Sequence, residues 1–166
     1  MNFSLLQLSS ADLEAIANSR IPERLESVAE PDSMPPAFVA ARALALGEAG
    51  HPAPWSTTFL IVSAAESRIV GSCGFKTAPT DGRVEIGYGV SSRCRGKGAA
   101  TAALNLLVLK AFESGATEVL AEVAPTNLPS TRVVQKAGFV AIGARVDHES
   151  EYLIQWAIRS GGDASV

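Results

Sequence analysis

The feature that most constrains this chain is a change of period at Val90. Three strand-like runs come before it. "STTFLIVSA" and "RIVGSCGFKT" flank the short polar turn "AES", and "RVEIGYGV" follows the turn "APTDG". The Pro and Asp-Gly of that turn mark a chain reversal, so the three runs read as an antiparallel meander. Past "SSRCRGKG" the apolar residues Ala100, Ala103, Leu104, Leu107, Val108 and Ala111 recur at helical spacing. Leu106 and Leu109 fall off that stripe, so this helix is expected to be covered on more than one side. A sheet that feeds a helix through a basic, glycine-rich turn points to a layered fold of strands and helices.

The flanking segments extend the pattern. "NFSLLQL" reads as a first strand, and "SSADLEAIANSR" as a helix with Ser9 or Ser10 as cap and acidic residues in its first turns. "PDSMPPAFVAARALALGEAG" opens with prolines and continues as a helix that Gly47 or Gly50 would end. Downstream, "TEVLAEV" reads as a strand. "TNLPSTRVVQKAG" reads as a short helix, capped by Thr126 or Asn127 and closed by Gly138. "FVAIGARV" and "EYLIQWAI" form a hairpin around "DHES". The expected order is β, α, α, β, β, β, α, β, α, β, β. That is an α+β class domain over residues 1–159, a mixed sheet with helices on its faces. Residues 160–166 are expected to be a disordered tail.

Composition narrows the function classes. The chain has 166 residues, enough for one domain with a real core. Apolar residues make up 47% and charged residues 19%, which excludes a disordered chain. The net charge of −3 argues against a nucleic-acid binder held by overall charge. The cluster Arg93, Arg95, Lys97 therefore suggests a local anion. Two cysteines, Cys73 and Cys94, make no disulfide framework and fit a reduced, cytoplasmic setting. His51 and His148 are far apart and no zinc spacing occurs, so no metal is expected. "MNFSLLQLSS" lacks the charged and apolar regions of a signal peptide. No apolar run reaches the roughly 18 residues of a membrane span.

"SSRCRGKGAA" is the candidate anion site. A Walker-type loop needs G-x-x-x-x-G-K-[ST], but Gly96-Lys97 is followed by Gly98 and Ser91 stands five places before Gly96. A dinucleotide fingerprint needs G-x-G-x-x-G, but Thr101 stands third and the preceding strands are antiparallel. The physics survives both mismatches. The first turn of a helix offers free N–H groups and partial positive charge, and glycines let a ligand approach that backbone. A pyrophosphate suits this geometry; a solvated basic turn is the plainer alternative. In "VEIGYGV", Val84, Ile86, Tyr88 and Val90 share one strand face and suit a core, while Glu85, Gly87 and Gly89 share the other. Two interior glycines leave that second face bare, with room for an extended ligand such as a pantetheine arm ending in a pyrophosphate.

These residues resemble a known family. "RGKGAA", Arg95 to Ala100, matches the R-x-x-G-x-G/A signature of the GNAT family of N-acetyltransferases, in the same strand–signature–helix context. "NLPSTRVVQKAGF" is similar to the N-x-x-S…K-x-G-F segment of the ribosomal-protein N-terminal (RimJ/RimL-like) branch, and "EIGYGV…RGKGAATAAL" also resembles that branch. The resemblance is strong from Val84 to Phe139 and weak before Thr57. It implies a single GNAT-type domain, with a mostly antiparallel sheet of about seven strands and about four helices. It implies acetyl-CoA as co-substrate, with the pyrophosphate on the backbone N–H groups of Arg95, Gly96, Lys97, Gly98, Ala99 and Ala100. The pantetheine would lie beside Val90, and Asn127 and Ser130 would contact the cofactor from the other side. Asn127 reads equally well as a plain helix cap.

Acetyl transfer to an amine needs a neutral nitrogen. A lysine amine, with pKa about 10.4, is protonated at neutral pH, and an α-amine, with pKa about 8, is partly free. A base must therefore take a proton, directly or through water. Glu85 is the candidate, as the carboxylate on the bare face; a cross-strand ion pair with a Lys or Arg is the competing reading. A backbone N–H near Val90 is the candidate for the oxyanion. The leaving thiolate needs a proton. Family members that use a tyrosine carry it four residues before the K-x-G-F glycine, where this chain has Val134. The similar branch suggests Ser130 in that role. Cys94 reads as incidental, Tyr88 and Trp156 as core. His51 and Trp55 lie in the variable segment that either lines the acceptor pocket or contacts the fold. The expected partner is an amine acceptor, a peptide N-terminus or a small molecule. No nucleic acid or membrane partner is expected, and a homodimer stays open. A coenzyme A-binding module without turnover and a nucleotide-binding module are the competing classes.

Overall fold

The computed structural model describes residues 2–161; most of the tail expected at 160–166 lies outside the described residues. Seven strands form one sheet in the order β1-β2-β3-β4-β5-β7-β6. They are β1 (Phe3–Gln7), β2 (Thr58–Ser63), β3 (Arg68–Phe75), β4 (Arg83–Val90), β5 (Glu118–Val123), β6 (Val140–Val146) and β7 (Tyr152–Arg159). The helices are α1 (Ser10–Ala17), α2 (Ala37–Glu48), α3 (Ala99–Glu113) and α4 (Leu128–Lys136). This is the expected α+β order, and β2, β3 and β4 form the expected meander.

The alternation of apolar residues explains the layering. In β2, Phe59 and Ile61 point to one face and Leu60 to the other, all within 1% of full burial. Leu60 meets Leu13, Ile16, Ala40 and Ala43 of α1 and α2. Phe59 and Ile61 join Val84 and Ile86 of β4 and Ala103, Leu104, Leu107 and Ala111 of α3. Each such large side chain contributes about 1.5–3 kcal/mol by leaving water. Gly47 lies within α2; Gly50, at φ +93°, follows its end. Helix α2 packs by its apolar face, and an isolated glycine inside that helix is tolerated.

One break in the sheet positions everything else. Strands β4 and β5 run parallel and pair only at Arg83–Glu118, Val84–Val119 and Glu85–Leu120. Beyond Glu85 they diverge. β4 stays paired to β3 as far as Val90, and β5 stays paired to β7 as far as Val123. Glu118 ties the joined end, since Arg83 and Arg159 both donate to its carboxylate. That pairing, the Arg159 bond first, holds the Glu118 carboxyl below its usual range.

Candidate functional site

The gap between β4 and β5 opens into a cleft of about 560 Å³, walled by β4, the 91–98 turn, the start of α3 and the first turns of α4. Its open edge is main chain. The Glu85 carbonyl accepts from Lys76 N–H, and Ser91 N–H donates to the Val70 carbonyl. Antiparallel pairing alternates such bonds, so the main-chain groups of Ile86, Tyr88 and Val90 face the gap. The Val90 carbonyl is taken by Arg95 Nε at 3.3 Å.

The turn ends in two left-handed glycines, Gly96 at φ +78° and Gly98 at φ +87°. Gly98 caps α3 without any side-chain hydrogen bond, and a Cβ placed there would meet nothing within 4 Å. The N–H groups of the first turn of α3 therefore open directly onto the cleft, backed by the partial positive charge of a 15-residue helix.

Of the residues expected at the site, the cleft gathers Val90, Arg95, Gly96, Gly98, Ala99, Ala100, Asn127 and Ser130. Asn127 is a helix cap: its Oδ1 accepts the Ser130 N–H at 3.2 Å. Asn127 is nevertheless among the residues that line the cleft. Two expected residues lie outside the walls. Lys97 turns away to Glu66 at 3.2 Å, and Glu85 is half-buried in a 2.5 Å pair with Lys76. That pair is the cross-strand contact that competes with a catalytic reading of Glu85. Glu85 also forms the last β4–β5 pair before the strands separate. Val134, at the position where the family resemblance leads one to look for a tyrosine, is fully buried in the core and offers the cleft no hydroxyl.

The cleft is lined by Tyr88, Gly89 and Val90 at the end of β4, so residues of both strand faces border it. Tyr88, read as core, is only half-buried and lines the cleft. Burial pushes its phenol pKa up, and Ser130 draws it partly back. Both residues line the cleft, and Tyr88 Oη has no hydrogen-bond partner among the described residues. Arg132 and Lys136, on one face of α4, also line the cleft, as does buried Cys94. With Arg95 they make three cations and no carboxylate among the lining residues. Of the sequence cluster Arg93, Arg95 and Lys97, only Arg95 reaches the cleft. The i, i+4 spacing of Arg132 and Lys136 was the available signal for the other two. The turn also brings Cys94 near Glu30 and Glu66, with ligand atoms within 4.8 Å of one another. Arg68 and Lys97 already pair those carboxylates.

A second polar group lies beyond the gap. Arg145 of β6 and Gln155 of β7 both donate to Glu122 of β5. Arg145 holds the Glu122 carboxyl below its usual range. No helix among the described residues is long and apolar enough to cross a membrane.

A strand splay, an uncapped helix start and a cationic wall together make a receptor for a long ligand with an extended arm and an anionic end. The chain belongs to the GNAT acetyltransferase family, whose acetyltransferase (GNAT) domain model matches residues 2–140. A curated relative, an uncharacterized N-acetyltransferase p20 of Bacillus licheniformis, is 32% identical over 93 residues. That match covers 55% of this chain and about half of the relative, 52% of its length. Among solved structures, a ribosomal-protein-S5-alanine acetyltransferase from Vibrio fischeri superposes with a TM-score of 0.69 at 18% identity, covering 98% of this chain and 95% of that one. An aminoglycoside acetyltransferase solved with coenzyme A gives 0.66 at 16% identity, covering 99% of each chain. At such identities the structural likeness speaks for the fold.

Proposed function

We propose that the protein is an N-acetyltransferase that moves an acetyl group from acetyl-CoA to a primary amine by direct attack in a ternary complex. The observation that carries this reading is the cleft, where an unpaired strand edge runs into the uncapped N-terminus of α3. The pyrophosphate would rest on the N–H groups from Arg95 to Ala100, with Arg132 and Lys136 neutralising further phosphate charge. The pantetheine would extend along the open edge of β4 as a pseudo-strand. A main-chain N–H at Tyr88 or Val90 would meet the developing oxyanion. The coenzyme A complex of a structural neighbour supports this reading.

Glu85 is the proposed base, taking the amine proton directly or through water, because it forms the last β4–β5 pair before the strands separate. Ser130 is the proposed donor to the leaving thiolate. The acceptor is a protein N-terminal α-amine or a small-molecule amine. The neighbour that acetylates a ribosomal-protein alanine supports the former and the RimJ/RimL-like branch. Two free cysteines favour a reducing compartment such as the cytoplasm. A second reading, a coenzyme A-binding sensor without turnover, is favoured by Val134 and by the tight Lys76–Glu85 pair.

Thiol release from acetyl-CoA, measured against peptides with different first residues and a set of polyamines, tests the proposal. An enzyme should release thiol with at least one amine and lose that activity in Glu85→Gln. Tight acetyl-CoA binding with no release from any amine would leave the sensor reading standing.

A further inference from the structure

The hydroxyl of Tyr88 is buried and has no hydrogen-bond partner among the described residues. A buried hydroxyl left so costs about 1–3 kcal/mol, which favours a use for it in the loaded cleft. Ser130 lines the same cleft, and its side chain draws the phenol pKa down against the effect of burial. The main chain of Ser130 is fixed by the α4 cap, because its N–H donates to Asn127 Oδ1 at 3.2 Å. Thr131 Oγ1 donates to the Asn127 carbonyl at 3.0 Å, which holds the same turn. Both Tyr88 and Ser130 line the cleft, from opposite walls. Strand β4 sets one wall and helix α4 the other, and Val134 supplies no polar atom between them.

We propose that Tyr88 is a positioning residue for Ser130. The phenol donates to Ser130 Oγ and fixes the serine hydroxyl so that its own proton points at the departing sulfur. This rests on the reading of Ser130 as the thiolate's proton donor. The amine nitrogen bonds to the acetyl carbon, the C–S bond breaks, and its electron pair goes to sulfur. Sulfur takes the Ser130 proton as Ser130 takes the Tyr88 proton. Once the thiol has left, a proton returns from the emptied cleft to the phenolate through Ser130, and the amine proton leaves through Glu85. The sum is thioester plus amine giving amide plus thiol. Tyrosine suits the second place because a serine alkoxide is too basic to be left alone in a cleft, whereas a phenol is a far stronger acid.

A double-mutant cycle on thiol release from acetyl-CoA, with the best amine of the panel, tests the coupling. Tyr88→Phe should lower kcat about tenfold and leave KM for acetyl-CoA within about twofold, a coupling well inside the range of contacting pairs. In a Ser130→Ala background the same change should cost nothing further. Equal losses in both backgrounds would assign Tyr88 to packing, and wild-type turnover in Tyr88→Phe would also overturn the proposal. If Ser130→Ala keeps full turnover, the serine reading itself falls, and the positioning role falls with it. A readout that needs no acceptor uses the chain's two tyrosines. In Tyr152→Phe protein, Tyr88 is the one phenol, and Ser130→Ala should shift its pKa in a phenolate absorbance titration. An unmoved titration would show that the two hydroxyls do not interact.

Discussion

Gly98 carries the sharpest residue-scale consequence. At φ +87° any other residue there is strained by about 1 kcal/mol, and the added side chain meets only open cleft. Gly98→Ala and Gly98→Glu therefore share the strain and differ in bulk and charge at the proposed pyrophosphate site. Gly98→Ala should fold and bind acetyl-CoA more weakly than wild type, and Gly98→Glu should fold and lose binding by calorimetry. Equal affinity of the two variants would refute a phosphate at this helix start. The sequence made this residue legible because glycine spacing after a strand has a local backbone meaning. Tyr88 was illegible for the opposite reason. Alternation places it correctly on the apolar face of β4, but whether that face is roofed depends on where β5 leaves the sheet. The i, i+4 spacing puts Arg132 and Lys136 on one helix face, but that this face lines the cleft depends on where α4 packs, which the spacing does not announce.

At the scale of elements, α1 shows how a cap can make stability depend on pH. Ser9 Oγ accepts from Asp12 N–H and Asp12 Oδ2 accepts from Ser9 N–H, a reciprocal capping box. Arg24, from the segment after α1, donates to both Asp12 oxygens, to Oδ2 at 2.9 Å. The Arg24 bond, against an opposing cost of burial, lowers the Asp12 pKa from 3.8 to about 2. A depressed folded-state pKa contributes stability that is present above pH 3.8 and lost as the pH falls toward about 2. Asp12→Asn should lower stability at neutral pH by at most about 2 kcal/mol, allowing for the exposed guanidinium. It should also flatten the stability–pH curve across that acid window, as read by urea denaturation. An unchanged acid limb would mean that Arg24 makes no net contribution. The capping serine of α1 and the amphipathic stripe of α3 could be read from sequence because both are short-range. The Arg24 contact and the Glu118 tie across β4, β5 and β7 could not, because their partners come from distant segments.

For the whole molecule, the decisive number is the three residue pairs that join β4 to β5. On one side lie β1 to β4 with α1 and α2; on the other lie β5, β7 and β6. Elsewhere the two parts meet through packing around α3 and α4. Such units open with their own free energies. In hydrogen exchange, the amides of Tyr88 and Val90 and of the first turn of α4 should be protected far more with saturating acetyl-CoA than without it. Those of β2 and β3 should change little. A uniform rise across all strands, or none at Tyr88 and Val90, would contradict a ligand lying along the open edge. The order of strands was legible from the sequence, but the length of the β4–β5 contact was not, because apolar alternation says nothing about where neighbouring strands part.

On the proposed reading, the short seam would make the bound acyl donor a structural member of the domain. A ligand at 100 times its Kd adds about 2.7 kcal/mol to the folded state, and here that gain falls at the joint the chain leaves weakest. Damage near Glu118 would then be masked whenever acetyl-CoA is abundant and exposed when it runs low. The lifetime of the folded protein would follow the supply of its own acyl donor.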